Sequence, residues 1–261
     1  MTIMKSFMRS SARLGLAAAA LSTCFFVDLV APASAYDPQR DITAELVSKL
    51  NSELAPSMRP AFYEDGATGR KFLFDRTGPH ALLKFEDSPE VFALKATIGP
   101  RGDEFYRTDT GRLILRVTEI GRVKELNNVI LFHKDDRIGA PTSLVGTASA
   151  ISPPPHPSDF NQALEMVSQD IMHWTQAPLE IKVHDKLENY PDWTMDALHT
   201  VAIGVRKSTN HGPTRISAIR VSMGPKAGLK LEDEVLYLQI APSEGFAGRP
   251  SSEAVRLTLR G

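Results

Sequence analysis

The chain of 261 residues carries 30 basic and 31 acidic side chains, which gives a formal net charge of −1 at pH 7. Because long-range attraction to a phosphate backbone needs a basic surface, this balance argues against a nucleic-acid partner. The 42% of hydrophobic and 7% of aromatic residues are typical of a folded protein and exclude a wholly disordered chain.

The first 35 residues predict an export signal. Lys5, Arg9 and Arg13 form a basic start, an apolar stretch follows from Leu14 to Val30, and Ala31–Ala35 is a small-residue site of the Ala-x-Ala kind. We therefore expect cleavage after this site and a protein that is periplasmic or secreted.

The only cysteine, Cys24, lies inside this signal. The mature chain is therefore expected to contain no disulfide, no cysteine nucleophile and no thiolate metal ligand. Two alternatives for the leader remain open. One is a retained membrane anchor, but the apolar stretch is short for a membrane span and contains Asp28. The other is a lipoprotein signal, but Thr23 precedes the cysteine where such signals have a smaller residue. No later segment is long and apolar enough to predict stable membrane insertion after removal of the signal.

Residues 36–70 combine a predicted helix with a lead-in to the body of the protein. In the helix, Asp41–Leu54, apolar residues recur every four positions and so share one face, with Asp41 as a candidate N-cap. The residues on this face are Ile42, Leu46, Leu50 and Leu54. We expect this apolar face to dock on the body of the protein rather than to bind a partner.

Residues 71–138 change to a period of two and predict a β-module. The predicted strands are Lys71–Asp75, Ala81–Phe85, Val91–Ala96, Glu104–Thr108, Arg112–Glu119 and Val129–His133. The breaks between them carry Gly, Pro, Asp and Ser, and Asp109–Gly111 is a three-residue hairpin loop in which glycine supplies a positive φ. Six short strands with tight turns predict an antiparallel meander, either a curled sheet or a small barrel.

Residues 139–157 interrupt this pattern. They are small, polar and rich in proline, and they end in Ser152–Pro157. Because a proline cluster excludes helix and favours extended chain, we expect a linker between two modules here.

Residues 158–261 predict a second module, in which a helix packs on a sheet. Ser158 or Asp159 caps the helix, Phe160–Trp174 carries its apolar stripe, and Asp192–Leu198 is expected to form a helical turn or two. The predicted strands are Leu179–Val183, His199–Arg206, Ile216–Met223, Val235–Ala241 and Ala254–Leu259. One helix on an antiparallel sheet of about five strands makes the expected fold class α+β and β-rich.

The familiar catalytic signatures are missing from the sequence. It contains no Gly-x-Ser-x-Gly, Ser-x-x-Lys, His-Glu-x-x-His, phosphate loop or Gly-x-Gly-x-x-Gly. This excludes the easily recognised hydrolases, zinc proteases and nucleotide-binding enzymes, and leaves enzymes with scattered residues. No cofactor is predicted.

No metal site is predicted either. The histidines form no pair at the helical spacing i, i+4 or the strand spacing i, i+2, which a site on one element needs. His133 with Asp135 and Asp136 comes nearest to a ligand cluster, but polar residues are expected at the end of a strand in any case.

Two polar loops supply the candidate ligand-binding residues. In the first, Arg101 and Asp103 lie close in sequence to Tyr106, Arg107 and Asp109, at one end of the predicted sheet. Polar loop residues over a rigid sheet often bind ligands. An ion-pair set that closes the hairpin is the alternative.

The second loop, Gly245–Ser252, contains Arg249 and Ser251. Its backbone amides and the guanidinium suit an anion or a carboxylate. The alternative is a structural connection, in which Phe246 anchors the loop in the core and the two serines bind free amides. An anionic ligand held by Arg101 and Arg249 together requires both side chains on one face.

A group of carboxylates supports an alternative function, that of a hydrolase. Asp185, Glu188, Asp192 and Asp196 lie close together in sequence, with Trp193 among them. Two carboxylates about 5–10 Å apart in one cleft would suit glycoside hydrolysis. The catalytic residues are otherwise unassigned.

Four strings of the sequence resemble a family of exported proteobacterial proteins of unknown function. They are Leu83–Val91, Pro100–Asp103, Arg112–Thr118 and Phe246–Ser252. The resemblance spans most of the mature chain and implies export and lineage. It assigns no activity and no site residues.

The leading prediction is a periplasmic protein without catalytic activity, which binds ligands or acts as a scaffold in the cell envelope. Its expected partner is a small molecule or an envelope component, and no nucleic acid. The alternative is a periplasmic hydrolase that uses the dispersed carboxylates.

Overall fold

The computed structural model describes residues 59–119, 127–134, 136–210, 212 and 214–260. By its contacts the chain divides into two units, Met1–Ile42 and Thr43–Gly261, and every described residue belongs to the second. The export signal and the helix Asp41–Leu54 predicted above lie outside the described residues. Within the described residues, no helix combines the length and the apolar character that crossing a bilayer requires.

Eight antiparallel strands close into a barrel in simple chain order. They are β1 Ala61–Asp65, β2 Lys71–Asp75, β3 Ala81–Phe85, β4 Val91–Ile98, β5 Glu104–Arg107, β6 Leu113–Glu119, β7 Asn127–Leu131 and β8 Ala140–Thr147. The predicted antiparallel meander is therefore confirmed, and its closed form results from the pairing of β1 with β8.

The two closing strands fall where the sequence predicted a lead-in and a linker. Ala61 is paired with Thr147, and each residue belongs to a segment that we expected to lack strands. The burial pattern explains the difference: most of β8 is exposed, so it lacks the apolar alternation by which a strand is recognised. The partner strand, rather than its own sequence pattern, determines the conformation of β8.

The barrel interior is filled by large apolar side chains. Phe72, Leu83 and Leu115 are completely buried, and Phe74 packs edge-on against Tyr106 at 5.0 Å between ring centroids. Alternation along each strand turns these residues inward and leaves their neighbours on the outer surface. The barrel is thus a packed core, and its outer face is available for contacts.

The second part of the chain places helices on a four-stranded sheet. The helices are α1 Phe160–Thr175, α2 Pro191–Thr209 and α3 Ser252–Thr258, and the strands are β9 Glu180–Val183, β10 Ala218–Met223, β11 Gly228–Glu232 and β12 Val235–Ile240. The sheet order is β11-β12-β10-β9. One core joins the inner face of the sheet to the helices, with Ile171, Leu198, Ile219 and Leu236 completely buried.

The expectation of an antiparallel sheet of about five strands was wrong here. Strand β10 runs parallel to both β9 and β12, and only β11 and β12 form an antiparallel pair. Parallel neighbours need a crossover connection, and α2 provides it between β9 and β10. We expected a strand over His199–Arg206, inside this helix, so the crossover could not be foreseen.

Both mispredicted strands are helices for the same physical reason. His199–Arg206 is rich in β-branched residues, but Leu198, Val201 and Val205 recur at helical spacing and are buried in the core. All of Ala254–Leu259 except its last residue belongs to α3, in which Val255 is completely buried and Ser251 caps the first turn by accepting from the amide of Ala254. Tertiary burial outweighs the local β-propensity. The strong helix was predicted correctly, with Asp159 as its N-cap.

Candidate functional site

A groove of about 1100 Å³ runs between the barrel and the helices. Three walls form it: the outer surface of the barrel, the irregular segment 148–155, and one face of α2 with contributions from α1 and the loop before α3. Because these walls come from distant parts of the sequence, only the folded chain assembles the groove.

The barrel wall is built from one row of outward-facing residues. Phe62 on β1 pairs with Leu73 on β2, which pairs with Lys84 on β3. The Phe62 side chain remains 41% exposed. An aromatic ring on the outside of a closed barrel adds nothing to the barrel core, so it provides an apolar surface to the groove.

The helix wall consists of residues at helical spacing on α2. Asp192, Asp196, His199, Ile203 and Arg206 follow one another at steps of four, three, four and three residues, and all line the groove. Such positions lie above one another on one face of a helix. This wall therefore alternates carboxylate, imidazole, apolar and guanidinium groups.

The third wall, Ala148–Pro155, is tethered to the barrel at two points. The amide of Ala148 donates to the carbonyl of Pro60 at 2.9 Å, and the amide of Ile151 donates to the buried carboxylate of Asp75 at 2.8 Å. Burial alone would raise the pKa of Asp75, but hydrogen bonds from Thr77 and Ile151 outweigh this effect and lower it. Three consecutive prolines restrict the rest of the wall to extended backbone.

Beside the groove, polar contacts connect the barrel to the helices. We call the residues that make these contacts the latch. They are Glu90, Val91, Asp109, Asp196, Lys207, Arg249, Ser251 and Ser252. Arg249 lies at its centre with 3% of its side chain exposed. Its guanidinium pairs with Asp196 and donates to the carbonyl of Val91 at 3.0 Å. The barrel strand, the helix wall and the last loop therefore meet at one side chain.

Two barrel acids complete the latch at the start of α3. Glu90, whose side chain is fully buried, accepts from the amide of Ser252 at 2.8 Å and from its hydroxyl. Asp109 accepts from the amide and hydroxyl of Ser251 at 2.7 and 2.6 Å. Lys207 lies 2.7 Å from the Ser252 hydroxyl and 3.4 Å from Glu90. Carboxylates thus satisfy amides that the first turn of a helix leaves open.

The structure separates the predicted ligand-binding residues. Arg249 and Ser251 belong to the latch, whereas Asp103 is buried and pairs with Arg116 at 2.6 Å. The side chain of Arg101 lies outside the described residues. That these residues bind a ligand stays a prediction, and the structural alternative considered for the Gly245–Ser252 loop agrees with the contacts.

The other residues of the first polar loop are also engaged within the protein. Arg107 donates to the carbonyl of Gly111 at 3.1 Å, across the hairpin. Tyr106 is buried in the barrel and donates to Glu104 at 2.5 Å. Burial, together with this hydrogen bond, raises the pKa of Tyr106 to about 12. These contacts agree with the role of closing the hairpin and filling the barrel.

The carboxylates of the alternative function divide into two groups. Asp185 and Glu188 are exposed on a 3₁₀ helix, whereas Asp192 and Asp196 line the groove one helical turn apart. The partnership of Asp196 with Arg249 fixes its position and compensates its charge. Asp192 is half-buried on the same face.

The group that comes nearest to a metal-ligand cluster in the sequence, His133 with Asp135 and Asp136, is only partly described. His133 lies 3.0 Å from the buried carboxylate of Asp65, and Asp135 lies outside the described residues. Burial alone would raise the pKa of Asp65, but hydrogen bonds from Thr68 and Ala67 and the nearby imidazole outweigh it and lower the pKa. Among the described residues, no three His, Cys, Asp or Glu side chains gather closely enough to hold a metal ion.

Reasoning from the sequence missed several residues of the groove and the latch. They include Phe62, Glu90, His199, Arg206 and Lys207. One signal was available in the sequence, because the strings Leu83–Val91 and Phe246–Ser252 both carry the family resemblance. In the structure these two strings contact each other. Glu90 accepts from Ser252, and the carbonyl of Val91 accepts from Arg249. Their pairing could have been suspected, but not its geometry.

Comparison with known proteins gives one match. The model of a family described as a domain of unknown function, DUF4908, matches residues 41–259. No curated protein and no solved structure shows a significant match to the chain. The match covers the barrel, the latch and the helices together, so it treats them as one domain.

Proposed function

The chain belongs to the DUF4908 family of domains of unknown function, and we propose that it is a non-catalytic binding protein of the cell envelope whose ligand lies in the groove. The observation that carries the proposal is the groove itself, which is built from three distant segments and lies where the latch bonds the barrel to the helices. Rigid walls favour binding because little ordering entropy is lost when a ligand enters.

The lining supports a chain-like, amphipathic ligand. Phe62, Leu73 and Ile203 provide apolar surface, and Lys84, Asp192 and Arg206 provide charges of both signs. The volume of about 1100 Å³ exceeds the range of roughly 300–1,000 Å³ that is common for small-molecule sites. An extended polypeptide segment with apolar side chains and mixed charges suits this surface best.

The latch supports a role in binding rather than in catalysis. A catalytic carboxylate has to accept or donate a proton, or attack the substrate, as the reaction proceeds. The Asp196 carboxylate is instead paired with a buried arginine, and its charge compensates that guanidinium. The acid best placed for chemistry is thus committed to holding the walls together.

Periplasmic location is part of the proposal and is supported by the anatomy of the first 35 residues. The test is intact-mass analysis of the protein from fractionated cells. A periplasmic product that begins at Tyr36 is expected. A cytoplasmic product that retains Met1, or a product acylated at Cys24, would contradict the location while leaving the groove proposal open to its own test.

The groove proposal is tested with a pooled synthetic nonapeptide library, by affinity selection and mass spectrometry on the purified chain. Ile203→Glu places a charge in the groove wall and is expected to abolish retention of the selected peptides. Tyr237→Glu, on the outer face of the sheet where the side chain is 44% exposed, is the matched control and should retain them. Equal retention by both variants, or no retention by the wild type, would contradict the proposal.

One observation favours the second candidate, a hydrolase. Asp192, Asp196 and His199 line the same groove within two helical turns. A panel of cell-wall, ester and glycoside substrates decides between the two functions. Turnover that is lost in Asp192→Asn and kept in Asp185→Asn, the exposed control, would establish the hydrolase and replace the binding function.

A further inference from the structure

We propose a second binding site in this protein, which takes a small aromatic or branched carboxylic acid. The site is a cavity of about 250 Å³ between the outer face of β4 and the loop Pro242–Gly248, which precedes α3. We call it the small cavity, and its lining includes Ala93, Lys95, Phe246 and Arg249. The inference goes beyond the proposed function, because neither this cavity nor its ligand depends on what the groove holds.

The floor of the small cavity is a depression on the barrel surface. The side chains of Phe92 and Leu94 on β4 are buried inside the barrel. Strand alternation therefore turns Val91, Ala93 and Lys95 to the outer surface, where they line the cavity. Ala93 carries only a methyl group between two longer side chains and is half-buried. The outer surface of β4 is thus recessed at this residue.

The loop Pro242–Gly248 forms the roof and is fixed by packing. The ring of Phe246 packs edge-on against Trp193, at 5.2 Å between ring centroids. At the end of the loop, the amide of Ala241 donates to the carbonyl of Gly248 at 2.8 Å. A Cβ on Gly248 would lie 1.9 Å from the carbonyl oxygen of Ala241, so only glycine allows this approach. The roof therefore has a defined position, and the cavity is preformed.

Volume and lining define the apolar part of the ligand. An apolar cavity of about 150 Å³ is enough to hold one benzene ring. The small cavity, at about 250 Å³, therefore accommodates a ring or a branched alkyl group together with one polar substituent. Ala93, Phe246 and Ala247 provide the apolar surface for it. An extended peptide, for which the groove is large enough, does not fit here.

The polar part of the ligand follows from Arg249, whose buried guanidinium lines the cavity. A guanidinium carries five N–H donors. Nε is paired with Asp196, and Nη2 donates to the carbonyl of Val91 at 3.0 Å. Nη1 has only the carbonyl of Pro250, at 3.5 Å, whereas such bonds are usually about 2.7–3.2 Å long. Nη1 therefore has donor capacity left for a carboxylate, with which arginine forms strong charge-assisted hydrogen bonds.

A second, independent observation is uncompensated positive charge at the rim. Lys95 is exposed, lines the cavity, and forms no ion pair with any residue that the structure describes. It lies directly opposite Arg107 on β5. Arg107 in turn donates to the carbonyl of Gly111 rather than to a carboxylate. Like charges that face each other across two strands repel, and a bound anion relieves that repulsion.

The other ionisable groups of the lining keep this preference. The carboxylate of Asp109 accepts from the amide and the hydroxyl of Ser251 and from the amide of Thr110. The imidazole of His80 lies 3.5 Å from the carboxylate of Glu244. The lining thus combines cations that have donors left with an acid whose oxygens already have partners. This combination favours a carboxylate over an amine.

Titration of the purified chain with benzoate, followed by proton–nitrogen correlation NMR spectra, tests the site. We expect saturable binding with a dissociation constant of about 1 mM or below. The largest shifts are expected at the amides of residues 91–95 and 245–249. Benzamide, the neutral analogue, should bind at least about tenfold more weakly. Absence of saturation at about ten times that concentration, or equal binding of benzamide, would overturn the inference.

Two matched pairs of variants separate the small cavity from the groove. Lys95→Met removes the rim charge and should weaken benzoate binding about threefold. Lys84→Met makes the same change on the groove wall and should leave the binding unaltered. Ala93→Leu fills the cavity and should abolish binding, whereas Ala150→Leu, in the groove lining, should not. Benzoate binding that responds to Lys84→Met or Ala150→Leu instead would overturn the inference.

The tests of the two sites can fail separately. Ile203, which is changed in the peptide-library test, lines the groove and not the small cavity, whereas Lys95 and Ala93 line the small cavity and not the groove. Benzoate binding in a chain that retains no peptide would contradict the groove proposal alone. Retained peptides without saturable benzoate binding would contradict the small cavity alone.

Discussion

Glu90 on the barrel and Ser252 at the first turn of α3 are 162 positions apart in sequence, yet the carboxylate accepts hydrogen bonds from both the amide and the hydroxyl of this serine. Both side chains are fully buried. A buried carboxylate is stable only when its partners are in place. This contact therefore makes the position of α3 depend on the barrel.

The first prediction concerns this carboxylate. Glu90→Ala should lower the free energy of unfolding by about 3 kcal/mol, because it leaves the amide and the hydroxyl of Ser252 without their acceptor and removes the negative charge beside Lys207. Urea denaturation measures the change. Glu86→Ala, at an exposed position of the same turn, should stay within about 0.5 kcal/mol of the wild type. Equal stability of the two variants would contradict the role of the latch.

The second prediction concerns the coupling of Arg249 to Asp196. Arg249→Met should cost about 3–5 kcal/mol, since it leaves a carboxylate in the latch without its charge partner. Adding Asp196→Asn removes that charge, so the double variant should be at least about 1 kcal/mol more stable than the sum of the single effects indicates. A double-mutant cycle by denaturant unfolding gives the coupling. Strict additivity would show that the pair contributes nothing specific.

The barrel was the predictable part of this molecule, and the reason is local. The buried pairs Phe72 and Phe74 on β2, and Leu83 and Phe85 on β3, are each separated by one more exposed residue. Turn residues stand between the strands, and both strands agree with their predicted bounds. The second sheet was less predictable because Val201 and Val205 favour strands intrinsically and are helical only through burial.

The groove and the latch lay beyond the reach of sequence patterns. Asp196 and Arg249 are separated by 53 positions, and neither has a neighbour in sequence that marks it as half of a pair. Each was noted as a candidate functional residue for its chemistry alone. What decides their role is burial, which only the packed fold determines.

The third prediction is a pH dependence that arises from Asp75. The net lowering of its pKa below the ordinary value of 3.8 means that the ionised form stabilises the fold. That contribution is present above the unfolded-state value and is lost as the pH falls through the lowered pKa. Asp75→Asn should therefore be destabilised most near neutral pH, and its difference from the wild type should shrink below about pH 4.

Urea unfolding of both proteins between about pH 6 and pH 2 checks this sign. Thr77→Val removes the hydroxyl that donates to Asp75 at 2.6 Å and should weaken the same pH dependence in part. A difference between wild type and Asp75→Asn that grows toward acid pH would contradict the assignment.

The last prediction tests how closely α2 and α3 approach. A Cβ placed on Gly204 of α2 would lie 2.5 Å from Cβ of Val255 and 2.9 Å from the carbonyl oxygen of Ser252, so alanine forces the two helices apart at the latch. Overpacking of this kind costs about 1–3 kcal/mol. Gly146→Ala, where a Cβ meets nothing within 4 Å, is the matched control and should be neutral. The shift also moves Ser252 away from Glu90. The double variant Gly204→Ala/Glu90→Ala should therefore lose less unfolding free energy than the sum of the losses in the two single variants. Fully additive losses would show that the helix spacing and the latch are independent.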